Sequence, residues 1–239
     1  MVGLVRLALL SKSQEDELDL SGVPRSYIRT FLPEASLATT GVPPEPKSGD
    51  VRLIHAGRLS EEKGSLLLVD VCTRLRDAHV PFQAEIIGSA DPVVWDQISK
   101  SIDDNGLSKH VSLLGYMPVP DLLRHLGHSD FLIHLSRSDS YPLIVLEGIA
   151  CSSTPICLDM PGARSMIESY GGHIVGNSDP AGDAADIIGS INIAEVRRCA
   201  LAASKLVRSQ FNWASSAEVL DTALRQCISD RMAQKMTSR

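Results

Sequence analysis

The chain alternates between short apolar runs that stop at a glycine and longer stretches whose apolar residues recur every three to four positions. "VRLIHAG" (51–57) and "FQAEIIG" (82–88) are of the first kind, and "GSLLLVDVCTRLRDAH" (64–79) between them is of the second. A brief unbroken apolar run ended by glycine reads as a strand buried on both faces, whereas the wider spacing reads as an amphipathic helix. The same pattern predicts further strands at 110–115, 130–136, 154–159 and 172–175. Helices are predicted at 93–103, 119–126, 143–151, 163–169 and 181–191, then two long ones at 194–207 and 213–227. Strand and helix in strict turn imply an α/β fold: a parallel sheet with helices on both faces. Sheets of this kind bind ligands beyond the carboxyl ends of their strands.

The segment 36–50, "SLATTGVPPEPKSGD", carries three prolines and two glycines with few large apolar residues, and reads as a linker. Ahead of it, residues 1–35 predict a strand at 4–10, a polar helix at 13–18 and an extended piece at 27–32. A strand and a helix alone cannot close a core, so this part reads as the remnant of an amino-terminal domain or as a strap docked on the domain beyond the linker. Residues 51–210 then form one domain, and 211–239 a carboxyl-terminal helix.

Composition sets outer bounds. A chain of 239 residues, 44% hydrophobic and 22% charged, suits a globular protein with a real core. Its net charge of −6 gives no overall field for nucleic acid or an anionic membrane, so an anionic ligand must be held locally. Cys72, Cys151, Cys157, Cys199 and Cys227 show no CxxC or Cys/His cluster, and read as reduced core residues. Arg6 interrupts the apolar amino-terminal stretch, which fits a signal peptide poorly, and no run reaches membrane-spanning length. A cytoplasmic protein is expected, with contact at a membrane surface left open.

Candidate chemistry gathers at the predicted strand ends. "HAGRLSEEKGS" puts Gly57, Arg58 and Lys63 where the first strand of the domain meets its helix. A guanidinium and an ammonium beside a glycine turn and a helix amino terminus suit a phosphate or diphosphate; two solvated surface cations are the plainer alternative. There is no GxxxxGK[ST], so this is not a P-loop. "DFLIHLSRSDSYPLIVLEG" places Asp139 in a loop and Glu147 about one turn into the next helix, with Pro142 in its first turn. The two carboxylates can face one cleft and accept paired hydrogen bonds from sugar hydroxyls. The plainer alternative makes Asp139 a helix cap and Glu147 a surface charge. His55 and His134 read as packed core histidines, and His125 and His128, three apart on a helix, lack a third ligand. Phe211 and Trp213 are expected to anchor the last helix, in the core or against a further amino-terminal domain, rather than to stack a base.

Five blocks then agree at once: "AGRLSEEKG", "IIGSADP", "VSLLGYMPVPDLLRHLGHSDFLIHLSRSDSYPLIVLEGIA", "LDMPGARSMIE" and "FNWASSAEVL". In order and spacing they resemble the carboxyl-terminal half of retaining glycosyltransferases of group 1 (family four), over about residues 51–224. The resemblance implies the GT-B architecture, two Rossmann-like domains facing across a cleft, with the second holding a nucleotide-sugar donor, UDP-, GDP- or ADP-linked. It implies Arg58 and Lys63 on the donor diphosphate as catalytic cations and Asp139, the third catalytic residue, at the transferred sugar. It further implies Glu147 on the ribose, Gly115 and Tyr116 at the base, and the backbone of Leu143 and Ile144 at the phosphates, with Gly57, Ser140 and Tyr141 completing the donor site. No cofactor and no metal are implied, in keeping with the lack of any DxD. Asp139 is one methylene shorter than the family's usual glutamate, Ser140 replaces a glycine, and Ser165 stands at a family acid position. Transfer is expected to need an amino-terminal acceptor domain; the alternative is a catalytically silent nucleotide-sugar-binding or scaffold module.

Overall fold

The structure is a computed structural model that describes residues 7–9, 25–27, 32 and 49–237; the predicted helix at 13–18 and most of the linker lie outside the described residues. Two short strands, β1 (Leu7–Leu9) and β2 (Arg25–Tyr27), pair in parallel. The second reaches Tyr27, where the extended piece predicted at 27–32 begins; residues 28–31 lie outside the described residues.

Six strands make the main sheet: β3 (Val51–Ala56), β4 (Phe82–Ile87), β5 (Val111–Gly115), β6 (Phe131–His134), β7 (Thr154–Leu158) and β8 (His173–Val175). All pair in parallel, in the order β5-β4-β3-β6-β7-β8. The helices are α1 (Ser65–Asp77), α2 (Pro92–Asp104), α3 (Val119–His128), α4 (Leu143–Ala150), α5 (Pro161–Tyr170), α6 (Pro180–Ser190), α7 (Ile193–Gln210) and α8 (Trp213–Thr237). Every strand and helix predicted from residue 51 onward is present, and the α/β reading holds. The last helix runs on to Thr237 instead of stopping near 227.

Each central strand feeds two cores, because successive side chains leave a strand on opposite faces. On β3, Leu53 joins one core and Ile54 the other; on β6, Phe131 and Ile133 face the first and Leu132 the second. The first core packs α1, α2 and α6 on one face through residues such as Leu68, Ile98 and Ala184. The second packs α3, α4, α5 and α7 on the other, through Leu126, Val145, Met166 and Val207. Phe131 is wholly removed from solvent, a burial that contributes about 2–3 kcal/mol. Leu32 also enters the second core, and its N–H donates to the Phe211 carbonyl at 2.8 Å. Phe211 is buried as expected, but Trp213 remains 66% exposed and does not anchor α8 in the core.

The chain steps outward from β3 to β5, then returns to lay β6 against the other side of β3 before stepping outward again to β8. At such a reversal the loops after the two central strands diverge and leave a crevice. Side chains also divide the helices. Asp91, Asp179 and Asn192 cap α2, α6 and α7, whereas α1, α3, α4 and α5, which follow β3, β5, β6 and β7, have no side-chain cap. At α4 the N–H groups of Leu143 and Ile144 have no acceptor among the described residues, whereas at α1 the Ser65 N–H donates to the Ser60 carbonyl at 3.1 Å.

Candidate functional site

The crevice is lined by two strand-to-helix junctions. At the first, β3 into α1, the buried His55 ring meets the Ile133 carbonyl through Nδ1 and Ser65 Oγ through Nε2, both at 3.0 Å. A carbonyl only accepts, so Nδ1 carries the proton, and burial, which lowers the ring's pKa, leaves Nε2 as an acceptor for the Ser65 hydroxyl. Ser65 Oγ in turn accepts the Ser60 N–H, and Ser60 Oγ accepts the Lys63 N–H. The turn that carries Lys63 is therefore tied to the sheet bond by bond. Gly64 closes it with φ +74°, and a Cβ there would stand 2.4 Å from the Leu135 carbonyl oxygen. Only glycine lets this turn approach the second junction so closely.

That second junction, β6 into α4, meets the first at Lys63. Its ammonium donates to the Ser138 carbonyl at 2.8 Å and to Asp139 Oδ2 at 2.9 Å, and the Arg137 N–H donates to the Glu62 carbonyl at 2.9 Å. Both Lys63 and Asp139 are about three-quarters buried, so the pair is shielded from water far more than a surface ion pair. Asp139 does not cap α4: the cap position is Pro142, which also sits one residue ahead of the helical turn predicted for it. Arg137, Ser138, Asp139, Ser140, Met160 and Pro161 line a groove of about 480 Å³, onto which α5 starts beside the loop that leads into α4. Gly162 makes that approach: a Cβ on it would lie 2.1 Å from the Ser140 carbonyl oxygen.

The other predicted residues occupy this edge with different degrees of engagement. Arg58 is exposed and sits 3.8 Å from Glu62, and Gly57 precedes it at the end of β3. Glu147 is half-buried on α4, one turn after Leu143, and no described residue hydrogen-bonds or ion-pairs with its side chain; burial holds its pKa above the usual carboxylate value. It is thus not a surface charge, yet neither does it line the groove that holds Asp139. Leu143 is half-exposed at the uncapped start of α4, Ile144 and Tyr141 pack on the second core, and Ser140 faces solvent. Gly115 ends β5 at φ +70°, followed by Tyr116 at 77% exposure. Since β5 is the sheet's edge strand, these two sit two strands away from β3. Ser165 lies half-buried within α5.

His55 and His134 are both buried, as expected, although the His134 Nε2 finds no hydrogen-bond partner among the described residues. The reading of the five cysteines needs correction. Cys72, Cys151 and Cys157 are core residues, whereas Cys199 is exposed and Cys227 partly so. His125 pairs with Glu85 at 2.7 Å and His128 bonds the Arg124 carbonyl. Sequence reasoning overlooked Ser60, Ser65 and Gly162. Only a histidine near the end of a strand, followed ten residues later by a serine at a helix start, hinted at the first two.

A sequence model of the family described as "Glycosyl transferases group 1" matches residues 42–198, well over half of the chain. The chain belongs to the group 1 glycosyltransferases. It is 26% identical over 186 residues to a D-inositol 3-phosphate glycosyltransferase of Jonesia denitrificans, covering 75% of this chain and 43% of that protein. A glycogen synthase of Mycobacterium tuberculosis is also 26% identical, over 172 residues, covering 70% of this chain and 41% of the synthase. The chain thus spans less than half the length of these curated relatives. Among solved structures, a sucrose-phosphate synthase of Thermosynechococcus elongatus superposes with a TM-score of 0.74 at 17% identity, over 94% of this chain and 58% of that one. HepE of Anabaena, solved with UDP and glucose, gives 0.71 at 17% identity, over 91% and 62%. These likenesses establish a fold shared with GT-B glycosyltransferases. No helix among the described residues is long and apolar enough to cross a membrane.

Proposed function

We propose that this chain is the donor-binding part of a retaining glycosyltransferase that uses a nucleoside-diphosphate sugar, and that transfer requires an amino-terminal domain carrying the acceptor. The observation that carries this reading is the meeting of Lys63 and Asp139 at the reversal of strand order, beside a polar groove and the uncapped start of α4. The ammonium has three N–H donors and spends two on Ser138 and Asp139, so one remains for a phosphate oxygen. Arg58, exposed and held only by a long ion pair, can swing onto the same diphosphate, and the first N–H groups of α4 at Leu143 and Ile144 add a helix-end field. These groups stabilise negative charge where the nucleotide departs, the largest single contribution such a site can make. Glu147, with no protein partner among the described residues, supplies the acceptor that ribose hydroxyls need, and Asp139 faces the transferred sugar. Gly115 and Tyr116 flank the base, with Gly57, Ser140 and Tyr141 shaping the walls. No metal is invoked.

The shortened acid at Asp139, drawn against Lys63, favours a second reading in which the chain binds a nucleotide sugar without transferring it. Titration calorimetry with UDP, GDP and ADP and their glucose conjugates tests the first part directly. UDP comes first, because HepE was solved with it. One nucleotide should bind, and Arg58→Ala and Glu147→Ala should each weaken it about 10–100-fold, the worth of a hydrogen bond to a charged group. No binding by any nucleotide, or binding indifferent to both substitutions, defeats the reading. Donor hydrolysis or transfer after addition of a candidate amino-terminal domain separates an enzyme from a silent binder.

A further inference from the structure

His134, the last residue of β6, is 5% exposed, and its Nε2 meets no hydrogen-bond partner among the described residues. Buried polar atoms are rarely left unpaired, because an orphan loses its hydration and gains no partner in exchange. Its position supplies the reason. Asp139 Oδ2 lies 3.7 Å from that nitrogen, just beyond bonding distance, while the same oxygen accepts the Lys63 ammonium at 2.9 Å. The charged and titratable groups that act on His134 are His55, Asp139 and Lys63; burial, His55 and Lys63 oppose its protonation and Asp139 favours it, so the ring is neutral near pH 7 with its pKa pulled down to about 4. A neutral imidazole with Nε2 protonated can donate one bond to a carboxylate without adding a second charge.

We propose that His134 is the standby partner of Asp139: when an anion draws the Lys63 ammonium toward itself, the imidazole Nε2–H closes onto the carboxylate and holds it toward the groove. His134 is a positioning residue in this scheme, acting through Asp139. The inference rests on the donor reading, since it takes the anion to be a diphosphate. Without such a partner, moving Lys63 would leave a largely buried carboxylate uncompensated, which is strongly unfavourable. The ligand then exchanges one counter-group for another instead of stripping one away.

The test uses the full chain, inorganic pyrophosphate as the probe, and nitrogen-15 NMR of the His134 ring with titration of its midpoint. Lys63→Met imitates withdrawal of the ammonium without any ligand. In that variant a hydrogen-bonded, downfield Nε2–H should appear, and the midpoint should rise by at least about one unit. Adding Asp139→Asn should remove the downfield proton. Pyrophosphate should produce the same signal in the wild-type chain. Replacing His134 by Leu should weaken pyrophosphate roughly tenfold, while His134→Gln, which keeps an N–H donor, should recover most of the loss. The proposal is overturned if Lys63→Met leaves the ring unchanged, if the downfield signal survives Asp139→Asn, or if pyrophosphate binds and His134 does not respond. If pyrophosphate fails to bind but Lys63→Met yields the Asp139-dependent signal, the exchange stands and the donor reading falls.

Discussion

His55 and His134 close neighbouring strands, both buried, both neutral, yet they sit on opposite terms with their surroundings. His55 uses both ring nitrogens and passes its hydrogen bonds through Ser65 and Ser60 to the turn that carries Lys63. His134 leaves Nε2 without a hydrogen bond among the described residues, and the loop behind it lines an open groove. The first junction is a satisfied network, which rigidifies whatever it holds. The second keeps a donor in reserve and sets three exposed residues, Arg137, Ser138 and Ser140, around the largely buried Asp139 at the groove. Under the proposed donor reading, one fixed wall and one adjustable wall suit a site that grips an anion and then adjusts to a sugar. The contrast can be attacked at several points.

The largest effect is expected where the two walls touch. Gly64→Val adds a Cβ 2.4 Å from the Leu135 carbonyl at a left-handed φ, and Gly162→Val adds one 2.1 Å from the Ser140 carbonyl. Each should cost more than about 3 kcal/mol in urea unfolding. Wild-type stability in both variants would show that the close approach is not real.

Next comes acid. Folded His134 holds its proton more weakly than an unfolded imidazole, with a pKa of about 4 against 6.5. The unfolded chain therefore binds more protons below pH 6.5, and stability is lost as pH falls from there to about 4, by about 3 kcal/mol for this group. His55, also lowered by burial, works in the same direction. His134→Leu should flatten much of the acid limb of a stability-against-pH curve, and an unchanged limb would mean that the ring is not neutralised by its site.

Glu147 should give a smaller and oppositely signed effect. Burial raises its pKa, so the folded chain disfavours the ionised form, and stability falls as pH rises through the carboxylate range. Glu147→Gln should raise the thermal midpoint at pH 7 by roughly 2 °C, a gain that vanishes at about pH 4, while nucleotide binding weakens. Stability gained at the expense of binding is the mark of a residue kept for a ligand. The smallest effect is expected at the exposed Arg58–Glu62 pair, where Glu62→Gln should change stability by less than about 0.5 kcal/mol and leave Arg58 freer for an anion.

Much of this architecture was legible in the chain itself. Short apolar runs marked the central strands β3, β4 and β6, the first two stopping at glycine, because a strand buried on both faces has no polar side to show. The motif spacing brought Lys63, Asp139 and Glu147 to one sheet edge for a simple reason: in a parallel sheet every strand ends on the same side, so residues just past strand ends share that side whatever the order of strands. Whether Phe211 or Trp213 would enter the core was not legible, because two aromatics at a helix start look alike along the chain until a neighbour covers one of them.

The sequence by itself determined the alternation of strands and helices, the parallel sheet and the edge at which chemistry collects, since each follows from local periodicity and chain direction. Only the tertiary structure decided that β3 and β6 are neighbours, and hence that Lys63 and Asp139, 76 positions apart, lie 2.9 Å from one another. It also decided which buried histidine is satisfied and which is not, because a ring's partners are set by ångström-scale distances across strands that no spacing along the chain encodes.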